Sequence, residues 1–85
     1  MPERELTFGE KAVGLTFNPS NDPIVQGVKE QFASIIDSLN NQREAELAKE
    51  SMSQSREKIR MFSVAITEAQ TAQMWAVKAI TWQFN

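Results

Sequence analysis

The chain of 85 residues contains neither cysteine nor histidine. Without cysteine there are no disulfides and no thiolate ligands, and without histidine there is no imidazole base and no usual zinc site. Most enzyme classes lose their central residue at once, and the hydroxyls that remain have no matched base, so no catalysis is expected. A carboxylate-only metal site is still conceivable, but the 11 acidic residues are spread along the chain and interleaved with nine basic ones, as on a solvated face. No metal or other cofactor is therefore expected. A net charge of −2 argues against duplex nucleic acid, whose binders cluster Lys and Arg against phosphates. A small anionic ligand is not excluded, because a few symmetry-related cations can meet in a pocket whatever the net charge. No apolar run approaches the length of a membrane span, so no membrane partner is expected. The opening Met1-Pro2-Glu3-Arg4-Glu5 does not read as a signal peptide, which sets the expected location as cytoplasmic. Glycine and proline are scarce, three of each, and two of each fall within residues 1–22.

What remains is a chain able to form long helices. From Arg60 to Trp82 there is no Gly or Pro, and Ile59, Phe62, Ile66, Ala69, Gln73, Ala76 and Ile80 recur at alternating steps of three and four, with one polar exception. A second seam, Ala65, Ala69, Ala72, Ala76 and Ala79, lies beside the first and would let another helix approach closely. Met74, Trp75, Val77 and Trp82 fill much of the remaining circumference. A helix apolar nearly all round needs cover on several sides, and a single domain this small has little material to supply it. Further copies of the chain are the expected cover.

The other boundaries follow from punctuation. Residues 1–22 show no helical period and read as an irregular N-terminal arm, with a short extended piece around Val13 to Phe17. Leu6, Phe8, Val13, Leu15 and Phe17 make that arm too apolar for a free tail, so it is expected to pack on the helices or on a neighbouring subunit. Pro19 keeps Asn18 out of the helical region, and Asp22 before Pro23 is a good N-cap followed by proline at the first helical position. The first long helix is thus expected over 23–50, with Ile24, Val25, Val28, Phe32, Ile35, Ile36 and Leu39 forming one stripe and Lys29, Glu30, Asp37 and Asn40 mostly elsewhere. Ser51 to Ser55 marks the reversal, with Ser53 or Ser55 capping a second long helix over 56–83. The expected fold is all-α: an antiparallel helical hairpin in a single domain over 1–85, carrying an N-terminal arm and assembling into a homo-oligomer. The tip between Asn41 and Ser55 has little apolar surface and should project from the assembly as its most mobile part.

Lys29 on the first helix, Arg60 entering the second, the run Ala65-Ile66-Thr67-Glu68-Ala69-Gln70-Thr71 with Met74, and Ala76-Val77-Lys78-Ala79-Ile80 together resemble a helical-hairpin family of phage proteins. These are the cyclic-oligonucleotide sponges of the second anti-CBASS family, whose hairpin is shared with an anti-Thoeris sponge. The resemblance covers roughly residues 13–82. It implies a homo-oligomer, typically a hexamer, that binds cyclic dinucleotides such as cyclic GMP-AMP in the infected bacterial cytoplasm and withholds them from effectors without cleaving them. It also implies separate sites between protomers for cyclic trinucleotides. Lys29 matches the family's phosphate-contacting lysine, and Arg60 matches an arginine of the trinucleotide site. Thr67, Gln70 and Thr71 fall where polar residues face neighbouring subunits. The chain departs from the family in having no tyrosine in the arm, where many members stack one on a base. Phe17 is the substitute, with Leu15 as the alternative, and the Asn18 to Ser20 turn would supply hydrogen bonds to the ligand.

Each of these residues also has a plain structural reading. Lys29 could be a solvated lysine, Phe17 a hydrophobic staple on Ile24 or Val25, and Asn18, Ser20 and Asn21 simple turn formers. Arg60 could pair with Glu57 at little energetic gain. Trp75 and Trp82 read as core or interface anchors. Gln70 is the hardest to place without function, since a buried amide needs partners that a symmetry axis would supply. For the whole chain, the alternatives to a sponge are a structural or scaffold oligomer and a small phage regulatory protein, with a messenger-cleaving enzyme a distant third.

Overall fold

The computed structural model describes residues 4–84, and every regular element among them is helical. Helix α1 spans Phe8–Val13, α2 spans Pro23–Leu47 and α3 spans Arg56–Ile80, with single 3₁₀ turns at Ser51–Ser53 and Trp82–Phe84. Helices α2 and α3 form an antiparallel hairpin, since Arg43 reaches Ser63 at 3.0 Å near the tip while Val25 and Lys29 share a cavity with Val77 and Thr81 at the open end.

The start of α2 is set as its punctuation predicts. The Asp22 carboxylate accepts the Ile24 N–H at 2.8 Å, and Pro23, which has no N–H to satisfy, occupies the first helical position. The helix ends at Leu47, one turn before the expected Glu50. From there the chain is committed to the reversal: Gln54 donates from its side-chain amide to the carbonyls of Leu47 and Lys49 at 3.0 and 2.9 Å. Buried Glu46 ties the tip together, accepting the Ser55 N–H at 2.8 Å and lying 3.0 Å from Lys49 Nζ and 3.6 Å from Lys58 Nζ. That backbone N–H, together with the neighbouring ammonium groups, holds the Glu46 carboxyl below its usual value. Ser55 caps α3 through the Lys58 N–H at 3.2 Å. At the far end α3 stops at Ile80, and the last residues of the expected helix form the 3₁₀ turn.

The N-terminal arm is not irregular, and the extended piece expected around Val13 to Phe17 is absent. Thr7 and Glu10 form a capping box at 3.1 and 2.9 Å, which nucleates the six-residue α1. Arg4 grips the same carboxylate with two hydrogen bonds of 2.8 and 3.0 Å and holds the Glu10 pKa down at about 2. Gly14 ends the helix in the left-handed region at φ 62°, so that the Leu15 N–H returns to the Glu10 carbonyl at 3.0 Å. Helix α1 lies hard against α2. A Cβ at Gly9 would stand 2.1 Å from the Ala33 carbonyl oxygen, and only glycine allows that approach, which is sealed by the Gly9 N–H donating to Asp37 at 2.7 Å.

The molecule measures 51 × 35 × 14 Å. A plate this thin has a small interior. Its buried cluster is Val13, Ala33, Ile36 and Ile66, with Ala12, Leu15, Phe32, Leu39 and Ala69 packed around it. The stripe along α2 differs from the expected one. Val25, Lys29, Ala33 and Ile36 are buried, whereas Ile24 and Ile35 are 62% and 52% exposed. Trp75 and Trp82 are likewise 66% and 64% exposed, so neither anchors a core within the protomer. Among the described residues no helix is long and apolar enough to cross a membrane.

Candidate functional site

At the open end of the hairpin the arm, α2 and α3 enclose a cavity of about 440 Å³. The arm contributes Phe17, Asn18, Pro19 and Ser20, α2 contributes Val25 and Lys29, and α3 contributes Val77 and Thr81. The four residues singled out in the sequence for a dinucleotide therefore all line one cavity.

Lys29 is the centre of this site, and its surroundings correct the sequence reading. It is buried to 5% exposure because it falls four residues after Val25 and four before Ala33, on the inward stripe rather than the polar face. A charge in that position must be hydrogen-bonded. Its ammonium donates to the Gly14 carbonyl at 3.0 Å and to the Phe17 carbonyl, fastening the segment after α1 onto α2. No carboxylate pairs with it among the described residues, and burial alone pushes its pKa below the usual lysine value. An ammonium carries three hydrogens. Two are occupied by carbonyls, which leaves one hydrogen-bonding position on a side chain that lines the cavity.

Phe17 sits beside that charge, its ring centroid 5.7 Å from Lys29 Nζ. It is 71% exposed, so it does not pack down on the first turn of α2 as a staple would. Leu15 takes the inward role, half-buried against the core, and Phe17 is the aromatic face presented to the cavity. Asn18 and Ser20 hold the loop in shape and keep hydrogen-bonding capacity in reserve. The Asn18 side-chain amide donates to the Asp22 carbonyl at 3.1 Å, and Ser20 Oγ donates to Asn18 Oδ1 at 2.9 Å. Asn21 closes the loop at φ 53°, a conformation that asparagine tolerates better than most residues.

Val77 and Thr81 complete the wall, and neither was singled out as a ligand residue in the sequence. Thr81 also donates to the Val77 carbonyl at 2.8 Å. The only signal was their spacing of four, which puts them on one face of α3. That this face meets the start of α2 depends on the register of the hairpin.

The second candidate set lies along α3, away from the cavity. Arg60 is exposed at the start of α3 and is held by Glu57 at 3.1 and 2.5 Å. It lies 17 residues before Val77, about 25 Å along the helix. Thr71 Oγ1 donates back to the Thr67 carbonyl at 3.1 Å. The Gln70 amide is turned inward, 3.5 Å from the Ala12 carbonyl, so within the protomer it bridges α3 to α1. Among the described residues no group of three or more His, Cys, Asp or Glu side chains is placed to hold a metal ion.

The fold is a small helical hairpin with a capped arm folded over its open end. The family model described as the Acb2/Tad1 hairpin domain matches residues 10–81, and the chain belongs to that family, the one to which the anti-CBASS and anti-Thoeris sponges belong. Membership implies sponge-like cyclic-nucleotide binding in phage evasion of bacterial defence. Among curated proteins and among solved structures, nothing matches the chain.

Proposed function

We propose that the protein sequesters cyclic dinucleotides, cyclic GMP-AMP among them, in the cytoplasm of the infected host and releases them uncleaved. The observation that carries this reading is the convergence of an exposed aromatic face, a buried unpaired ammonium and an amide-hydroxyl loop around one cavity. Phosphate would take the remaining Lys29 hydrogen in a charge-assisted bond. A base would lie on Phe17, and Asn18 with Ser20 would meet its edge.

Assembly belongs to the same proposal. Along α3, Met61, Val64 and Trp75, and in the turn after it Trp82, are each more than two-fifths exposed, and the seam Ala65, Ala69, Ala72, Ala76 and Ala79 offers close approach. Copies of the chain packed on this helix, a hexamer in the proposed assembly, would cover that surface and bring two cavities to the two halves of a pseudo-symmetric ring ligand. Arg60, Thr67 and Thr71, on the outer length of α3, and Gln70 beside them are assigned to cyclic trinucleotides between protomers. Thermal unfolding with and without ligand tests the reading. A ligand bound only by the folded state raises Tm with concentration, whereas a bare helical scaffold unfolds at one temperature throughout a panel of cyclic di- and trinucleotides.

A further inference from the structure

If the cavity is the dinucleotide site proposed above, its polar groups also limit which bases it accepts. The Asp22 carbonyl can only accept a hydrogen bond. The Asn18 side chain lies 3.1 Å from it, so the amide must turn its nitrogen to Asp22 and its oxygen the other way. That oxygen, again an acceptor only, stands 2.9 Å from Ser20 Oγ. The Ser20 hydroxyl hydrogen is therefore committed to Asn18, and toward the cavity that Ser20 lines its oxygen offers lone pairs alone. Thr81, the other hydroxyl of the lining, likewise gives its hydrogen to a carbonyl, that of Val77 at 2.8 Å. The loop holds this arrangement in place, since Pro19 has a fixed φ and the Asn21 N–H donates to the Asn18 carbonyl at 3.0 Å.

We propose that Ser20 is the base-selecting residue of the cavity and that, as an obligate acceptor, it selects bases bearing an exocyclic amino group. The amino group is the donor that adenine and guanine have in common, and hypoxanthine is the same purine without one. Phe17 lines the cavity three residues before Ser20, which puts the aromatic face and the acceptor on one short loop. A base carbonyl brought to Ser20 would set lone pair against lone pair. To donate to it, the hydroxyl would have to leave Asn18 and strip the amide oxygen of its partner, which offsets the gain.

The test is calorimetric titration of the full chain with cyclic di-AMP, cyclic di-GMP and cyclic di-IMP, whose base is hypoxanthine. The inosine ring should bind more weakly than the better of the other two by roughly 2- to 12-fold per base, the equivalent of one neutral hydrogen bond. Ser20 is exposed, so Ser20→Ala keeps the fold, and it should weaken the amino-bearing ring while leaving cyclic di-IMP unchanged, closing the gap. Asn18→Ala frees the Ser20 hydrogen and should narrow the gap from the other side, whereas loss of a merely structural contact would weaken all three rings alike. Cyclic di-IMP binding as tightly as the best ring, or a gap that survives Ser20→Ala, would overturn the assignment and leave the sequestration reading standing. Binding of none of the rings would remove both.

Discussion

Lys29 does two things with one ammonium. It anchors the Gly14 to Phe17 segment on α2 and presents positive charge to the cavity. Removing it therefore perturbs shape as well as charge, and Lys29→Met, which keeps most of the volume, is a cleaner variant than Lys29→Ala. Loss of one charge-assisted bond of about 1.5–3 kcal/mol per phosphate should weaken cyclic dinucleotide binding by roughly 10- to 150-fold for each half of the ligand, read by calorimetry. The pKa of Lys29 is depressed by burial, so its charge is lost as pH rises through a value below that of a free lysine. Phosphate affinity should accordingly fall on the alkaline side before ordinary lysines titrate. The cost of burying the charged form is lifted over the same range, so protomer stability should not fall with it. Phe17→Ala should cost about 1–3 kcal/mol per stacked base and leave the helices intact, since the ring is exposed and outside the core.

At the scale of elements, the two long helices were legible because their ends carry chemistry that acts locally. Asp22 with Pro23 and a serine cap need no tertiary context, and both operate, Ser55 rather than Ser53 taking the cap. Helix α1 was missed because six residues are too few to show a hydrophobic period, yet its signal was present in Thr7 and Glu10 at capping-box spacing and in Gly14 at the end. Lys29 was misplaced because its charge was given more weight than its register between Val25 and Ala33. Val77 and Thr81 could not be found at all from one strand of text, since their role depends on how α3 pairs with the start of α2. Helix α1 is also where backbone proximity is most easily tested. Gly9→Ala places a Cβ against the Ala33 carbonyl, and the strain of lifting α1 from α2, on the order of 1–3 kcal/mol, should appear as a lower Tm. Glu10 adds a pH signature: its folded pKa of about 2 lies below the ordinary 4.5, so its support for α1 is present above that ordinary value. It is lost as pH falls toward about 2, which NMR of the Gly9 and Glu10 amides would follow.

As a whole molecule, the protomer is a thin plate whose helix α3 shows tryptophan and methionine to solvent, with Trp75 66% and Met61 52% exposed. Such a surface is costly unless covered. Trp75→Asp should shift the proposed assembly toward monomer in sedimentation velocity and weaken cyclic dinucleotide binding with it. The central claim, that the protein holds a cyclic dinucleotide and does not cut it, is tested most directly by one experiment. The purified protein is titrated with cyclic GMP-AMP in a calorimeter, then denatured, and the released nucleotide is examined by chromatography. Tight binding with the ring recovered intact is the predicted result. Recovery of a linear or hydrolysed product, or absence of binding across a panel of cyclic di- and trinucleotides, would contradict it.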